Sequence, residues 1–133
     1  MSALLLVILL LLLTGCADRS SESLRLETRD GIVDLAEQLP GEWKRVCLLP
    51  PYSTNRMASD LLGFEYNIES RSRIVSSDSI TLLLTVDGRS VVDGFEIGRR
   101  NIDFSSLGTV CYGRGEATFT LPDQGWPHAR HVN

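Results

Sequence analysis

Apolar and polar residues alternate with a period of two along much of this chain, which is typical of β-strands. In the clearest run every second residue from Ile80 to Val86 is apolar, and only Leu83 interrupts the polar set between them. Successive side chains of a strand point to opposite faces, so this run predicts a strand with one buried face. Asp87-Gly88 follows and suits a type I′ turn, so residues 89–97 are predicted to return as its partner strand.

Shorter runs with the same period predict further strands. They cover residues 43–49, 64–69, 107–112 and 116–121, with 73–75 as an optional seventh strand. Gly-Arg-Gly separates the last two long runs, which are predicted to pair as a second hairpin with Ala117, Phe119 and Leu121 facing inward. Six or seven strands predict a mainly β domain, a small antiparallel β-sandwich or sheet, with an α+β fold as the alternative.

Two short segments carry the signals of helices. Residues 31–39 have an apolar stripe that ends at Pro40-Gly41, and residues 57–62 are followed by Gly63. The predicted N-cap residues are Asp30 for the first helix and Ser53 or Thr54 for the second. One or two short helices are therefore expected beside the strands.

A leader-like segment precedes these elements. Residues 3–13 are continuously apolar and end in Leu13-Thr14-Gly15-Cys16. As a helix this run would span about 16 Å, roughly half of a 30 Å hydrocarbon core. The tetrapeptide resembles the lipobox of bacterial lipoprotein precursors. That resemblance implies that residues 1–15 are removed as a signal peptide, that Cys16 is acylated, and that the chain is anchored in a membrane. An ordinary buried helix with a chance cysteine is the alternative.

The resemblance also implies a domain layout and an address. Residues 16–29 would form the lipidated cysteine and a flexible polar tether, with a root-mean-square reach of about 20 Å and a limit of about 45 Å. Residues 30–133 would form a single periplasmic β-rich domain with a mobile C-terminal tail. Ala17, rather than Asp, follows Cys16, which favours the outer membrane over the inner membrane.

Two further cysteines remain once Cys16 is assigned to lipid. In an oxidising compartment Cys47 and Cys111 have one way to pair, and this bridge would join the start of the core to its end, within one sheet or across two. Closing a loop of this length would stabilise the fold by about 4 kcal/mol in the chain-entropy model. Trp43 is a candidate to pack against the sulfurs. Two free redox-active thiols are the alternative, although no C-x-x-C spacing supports it.

Charge and motifs exclude several functions. The chain carries 13 basic and 17 acidic residues without a run of either sign, which excludes a nucleic-acid binder. His128 and His131 are the candidate bases, but their spacing lacks a third metal ligand, so neither a metal nor a cofactor is predicted. Arg99-Arg100 is interpreted as a solvated turn, with contact to an acidic partner as the alternative. Three aspartates, Asp78, Asp93 and Asp103, are interpreted as turn residues.

These features together favour a non-enzymatic protein-binding module. A lipobox precursor with a short polar tether, Val46-Cys47 early and Val110-Cys111-Tyr112 late resembles small periplasmic lipoproteins assigned as immunity proteins of type VI secretion effectors. The resemblance implies that the protein blocks a secreted toxin near the membrane. The alternatives are an accessory lipoprotein of envelope assembly or of a secretion machine, and a small hydrolase that uses His128 or His131.

Overall fold

A computed structural model describes residues 20–133, so the predicted signal peptide and Cys16 lie outside the described residues. Within residues 20–133 the fold is mainly β, with eight strands in two sheets, two short α-helices and one disulfide. The strands are β1 (Glu22–Leu24), β2 (Ile32–Asp34), β3 (Arg45–Leu49), β4 (Ile80–Asp87), β5 (Ser90–Gly98), β6 (Val110–Gly113), β7 (Thr118–Thr120) and β8 (Arg130–His131). The helices are α1 (Leu35–Gln38) and α2 (Asn55–Leu62), with single 3₁₀ turns at Ile74–Ser76, Ser105–Leu107 and Arg114–Glu116.

The two sheets differ in size and connection. The larger sheet has five strands in the order β1-β5-β4-β3-β6, and the smaller has three in the order β2-β7-β8. All pairs are antiparallel except β1 with β5, which run parallel. The prediction of a mainly β fold is confirmed.

The larger sheet is buried on both faces, which explains why β4 departs from alternation. One face packs on the small sheet in a cluster that contains Leu83 together with Trp43 and Phe119. The other face, with Leu82 and Leu84, packs against α2 and the loop that follows it. Because each face of the central strand needs apolar side chains, Leu83 lies in the core although it breaks the period-two pattern.

The predicted hairpin of β4 and β5 is confirmed, but its turn differs in type. Asp87 pairs with Ser90, so Gly88 and Arg89 form a two-residue loop. Gly88 has φ 59°, while Arg89 is not among the residues with positive φ. A type I′ turn needs positive φ at both central residues, so this pattern is that of type II′ with glycine first.

The two predicted helices have different outcomes. Helix α2 is confirmed: the Thr54 hydroxyl accepts a hydrogen bond from the Met57 N–H at 3.3 Å, and Gly63 ends the helix with φ 81°. The predicted helix over residues 31–39 is shorter, because its first part forms strand β2. Asp34 rather than Asp30 caps α1, its carboxylate accepting from the Ala36 N–H at 2.9 Å.

Three predicted β elements are wrong. Residues 107–112 and 116–121 do not form a hairpin, because β6 pairs with β3 whereas β7 pairs with β2 and β8. Residues 64–69 form an irregular loop that covers the larger sheet, and 73–75 lie mostly in a 3₁₀ turn. The inward orientation of Ala117 and Phe119 is confirmed, since both are fully buried, while Leu121 is half-buried.

The expected tether through residue 29 is wrong for its second half. From Ser21 onward the chain belongs to the fold: the Ser21 N–H donates to the Arg71 carbonyl at 2.8 Å, and β1 follows as an edge strand. Leu26 is buried, and its backbone exchanges two hydrogen bonds with the side chain of Asn101, at 2.7 and 2.8 Å. Leu24 and Leu26 give this polar segment one apolar side, which packs against the core beside the larger sheet.

The expected mobile tail is also part of the fold. Strand β8 extends the small sheet, and Ala129 is buried. The segment that precedes β8 exchanges two backbone hydrogen bonds with Asp103. The Asp103 N–H donates to the Pro127 carbonyl at 2.8 Å, and the Asp103 carbonyl accepts from the Ala129 N–H at 2.9 Å. These pairings fix the path of the chain up to His131.

The predicted disulfide is confirmed, and it lies within one sheet. Cys47 and Cys111 are directly opposite each other on β3 and β6, with their Cα atoms 4.0 Å apart. The suggested packing of Trp43 on the sulfurs is wrong, because Trp43 belongs to the cluster on the other face of the sheet. Its indole N–H donates to the Leu39 carbonyl at 3.2 Å instead.

Candidate binding site

One end of the larger sheet carries a pocket of about 390 Å³ where β4 begins and β5 ends. Three arginines line it together with two apolar side chains, beside Asp78. These residues are Arg73, Arg99, Arg100, Ile80 and Trp126. We call this the sheet-end pocket. Four parts of the chain build it, and two of them are the start of β4 and the end of β5.

The buried carboxylate of Asp103 binds two of the residues that line this pocket, Arg99 and Trp126. Asp103 is fully buried and accepts hydrogen bonds from the Nε and Nη2 of Arg99, both at 3.1 Å. It also accepts the Trp126 indole N–H at 2.6 Å and the Ser105 backbone N–H at 3.0 Å. Four donors therefore satisfy a group that would otherwise be costly to bury.

The ionisation of this ion pair follows from its contacts. Burial alone would raise the pKa of Asp103, but the hydrogen bonds from Arg99, Ser105 and Trp126 outweigh it and hold that pKa well below its ordinary value. The hydrogen bond to Asp103 in turn raises the pKa of Arg99. Both groups are charged at neutral pH, and the pair holds the pocket together.

The arginines of the pocket differ in what they have left to offer a ligand. Each of the three guanidinium nitrogens of Arg99 already donates a hydrogen bond within the fold, because its Nη1 also donates to the Asp78 carbonyl at 2.8 Å. Arg73 donates through Nε to Glu96 at 3.2 Å, yet its side chain is 59% exposed. Arg100 is exposed and forms no salt bridge with any carboxylate among residues 20–133. Arg100 and the outer nitrogens of Arg73 are thus available to a partner.

Trp126 gives the pocket an exposed aromatic surface. Its residue surface is 45% exposed although its N–H is bound to Asp103. A free surface tryptophan would lose rotamer freedom on binding, but this indole is already held in place. Tryptophan and arginine are enriched among the residues that dominate protein interfaces. The arrangement therefore suits recognition of another molecule.

The two histidines make different contacts. The His128 Nδ1 is 3.6 Å from the Asp103 carboxylate, and its side chain is 53% exposed. The His131 Nε2 lies 2.7 Å from the Glu116 carbonyl oxygen, and its ring stacks on Tyr112 with centroids 4.3 Å apart. Neither imidazole forms a hydrogen bond with a serine hydroxyl within residues 20–133.

Sequence reasoning located only part of this site. The sequence predicts a basic turn at Arg99 and Arg100, but it predicts Asp103 only as a turn residue and places Trp126 in a mobile tail. The disulfide cysteines are on β3 and β6, away from the pocket lining. No local signal links Asp103 to Trp126, because the contact joins residues 23 positions apart.

Comparison with protein-family models, with curated proteins and with solved structures finds no match to this chain. Within residues 20–133 no helix is long and apolar enough to cross a membrane. The same residues contain no group of three or more His, Cys, Asp or Glu side chains placed to hold a metal ion.

Proposed function

We propose that this chain is a lipid-anchored protein of the bacterial cell envelope that binds another protein and is not an enzyme. The anchor rests on Leu13-Thr14-Gly15-Cys16, which is the sequence feature expected of a lipoprotein precursor. The Cys47–Cys111 disulfide supports an oxidising compartment such as the periplasm, because bridges of this kind persist outside the reducing cytosol. Facing the periplasm from the outer membrane is the proposed location.

The sheet-end pocket is the observation that carries the proposed binding role. It combines an exposed indole fixed by a buried carboxylate with two arginines that have donors to spare. The fixed indole binds without paying the ordering cost of a flexible side chain, and the two arginines add hydrogen-bond donors beside it. The histidines, by contrast, each place one ring nitrogen in a contact within the fold, His128 Nδ1 with Asp103 and His131 Nε2 with the Glu116 carbonyl.

For the partner we propose a toxin that is delivered to the periplasm, with this protein acting as its immunity protein by covering the toxin's active site. The support is the layout of a lipobox precursor with cysteine-bearing strands early and late in the chain. An accessory role in envelope assembly or secretion would use the same anchor and surface. It differs only in the partner, which would then be a resident membrane complex.

Lipidation is tested by expressing the full precursor and measuring the mass of the N-terminal peptide from the membrane fraction. We expect a peptide that starts at Cys16 and carries acyl chains. The Cys16→Ser variant serves as the control, because it keeps the disulfide but removes the acylated sulfur. A wild-type protein that starts before residue 16 and carries no lipid would refute the proposed anchor.

The immunity role is tested by deleting the gene and challenging the cells with toxin-secreting siblings. We expect sensitivity that wild-type protein restores. Trp126→Ala should restore far less than Phe64→Leu, a change of a half-buried ring that lies beside Arg89 at the tip of the β4–β5 hairpin and outside the pocket lining. Equal survival with and without the gene would reject immunity, and a resident complex found on the protein would then support the accessory role.

A further inference from the structure

Tyr52 is held in a conformation that large residues rarely adopt. Its φ is 65°, in the left-handed region, and its residue surface is 57% exposed. The surrounding loop fixes it: the Tyr52 N–H donates to the Ile74 carbonyl at 2.9 Å, and the Ser53 hydroxyl donates to the Pro50 carbonyl at 2.6 Å. The fold thus presents an aromatic side chain to solvent on a rigid, unfavourable backbone.

This loop lies next to the sheet-end pocket. Tyr52 follows the end of β3, at the same end of the sheet at which β4 begins. Ile74, which accepts its hydrogen bond, is the neighbour of Arg73, and Arg73 lines the pocket. The backbone of Tyr52 is therefore hydrogen-bonded to the residue that directly follows Arg73 of the pocket lining.

We propose that Tyr52, Arg73, Arg100 and Trp126 form one docking face for an acidic loop of the partner protein. The inference rests on the proposed binding function and adds to it the surface and the chemistry of the partner. Tyrosine, tryptophan and arginine are the three residue types most enriched at binding hot spots. Here an indole held by Asp103 and a tyrosine on a hydrogen-bonded loop lie near two arginines that have donors free.

The placement of charge decides in favour of an acidic partner. Two carboxylates pair with arginines of the pocket, but a ligand would not meet either of them. Asp103 is fully buried, and the Glu96 side chain is only 11% exposed. Both are already bound, to Arg99 and Arg73 respectively. A ligand therefore meets guanidinium groups at the surface, with Asp78 as the one exposed carboxylate of the lining. Carboxylates next to an apolar side chain complement this face.

The test places a photo-crosslinking amino acid at single positions of the full chain in its native host. Tyr52 and Ser79, which is exposed and lines the pocket, report on the docking face. Glu42, which precedes β3 at the other end of the sheet, and Glu37 on α1 are the exposed control positions. Crosslinked peptides are then identified by mass spectrometry.

We expect Tyr52 and Ser79 to crosslink the same protein, through a peptide that contains Asp or Glu. Arg100→Glu should lower that yield at least tenfold. Arg89→Glu, at the hairpin tip on the opposite end of the sheet, should leave it unchanged. A peptide without acidic residues, or a yield that is insensitive to Arg100→Glu, would overturn the proposal.

The control positions separate this inference from the proposed function. If Glu37 or Glu42 crosslinks a partner while Tyr52 and Ser79 do not, the protein is still a binding module but its docking face is elsewhere. If none of the four positions crosslinks a protein, the docking face is rejected, and the toxin challenge of the deletion strain decides whether the proposed function falls with it.

Discussion

Replacing Asp103 with Asn tests whether a buried carboxylate holds the sheet-end pocket together. The change keeps the side-chain volume but removes the charge, and the new amide nitrogen cannot accept from Arg99 or Trp126. Removing one partner of a buried ion pair costs about 3 to 5 kcal/mol. Arg99 is 30% exposed and can regain some hydration, so we expect a loss near the lower end, about 3 kcal/mol.

Urea unfolding at pH 7 measures this loss, and Asp123→Asn is the matched control because Asp123 is exposed. We expect the control to change the free energy of unfolding by less than about 0.5 kcal/mol. A loss below about 1 kcal/mol for Asp103→Asn would refute the account of the buried pair.

The pH dependence gives the same prediction a second test. Because the folded-state pKa of Asp103 is lowered, its stabilisation is fully present above the unfolded-state pKa of about 3.9 and is lost as the pH falls below it. Each pH unit below that value removes about 1.4 kcal/mol while the native carboxylate stays ionised. The gap between wild type and Asp103→Asn should therefore shrink by about 2.5 kcal/mol at pH 2. A gap that stays constant would contradict this reasoning.

Three further changes have defined outcomes. Replacing Cys47 and Cys111 by Ala should cost about 4 kcal/mol in urea unfolding, the loop-closure value for a separation of 64 residues, and reductant should destabilise only the wild type. Gly94→Ala should release β1 and raise its amide exchange, because the new Cβ would lie 2.5 Å from the Ser21 Oγ, and adding Ser21→Gly should restore protection. Tyr52→Asn should raise the free energy of unfolding by up to about 1 kcal/mol, since Asn tolerates positive φ, and a loss above 1 kcal/mol would show that the tyrosine serves stability.

Local signals predicted the elements that are contiguous in the chain. The hairpin of β4 and β5 and the helix α2 each have their turn, cap and apolar positions within a few residues, so the sequence pattern was sufficient. The predicted pairing of β6 with β7 is wrong because β6 pairs with the distant β3, and β7 pairs with the distant β2 and with β8. A three-residue strand such as β1 is too short to show an alternating pattern of its own, so its conformation is set by its pairing with β5.

The candidate site was harder to predict than the fold, for the same physical reason. Arg99 and Asp103 are four residues apart, but Trp126 reaches that carboxylate from the far end of the chain. Tyr52 follows Pro50-Pro51, which predicted only the end of a strand. Its positive φ follows from the contact with Ile74, which no pattern in the loop reveals.

The hydrogen bond from Ser21 to the Arg71 carbonyl has a consequence for how closely the domain is held to the lipid. With Cys16 as the acylated residue, only five peptide links separate the bilayer from this first fixed point, a span of at most about 18 Å. Arg73, one of the four residues of the docking face, lies two residues beyond Arg71. A bulky partner diffusing through the periplasm would have to enter a gap narrower than itself, whereas a protein already lying on the headgroups would meet this face directly. Membrane proximity would then select the partner by size and position before any side chain touches it.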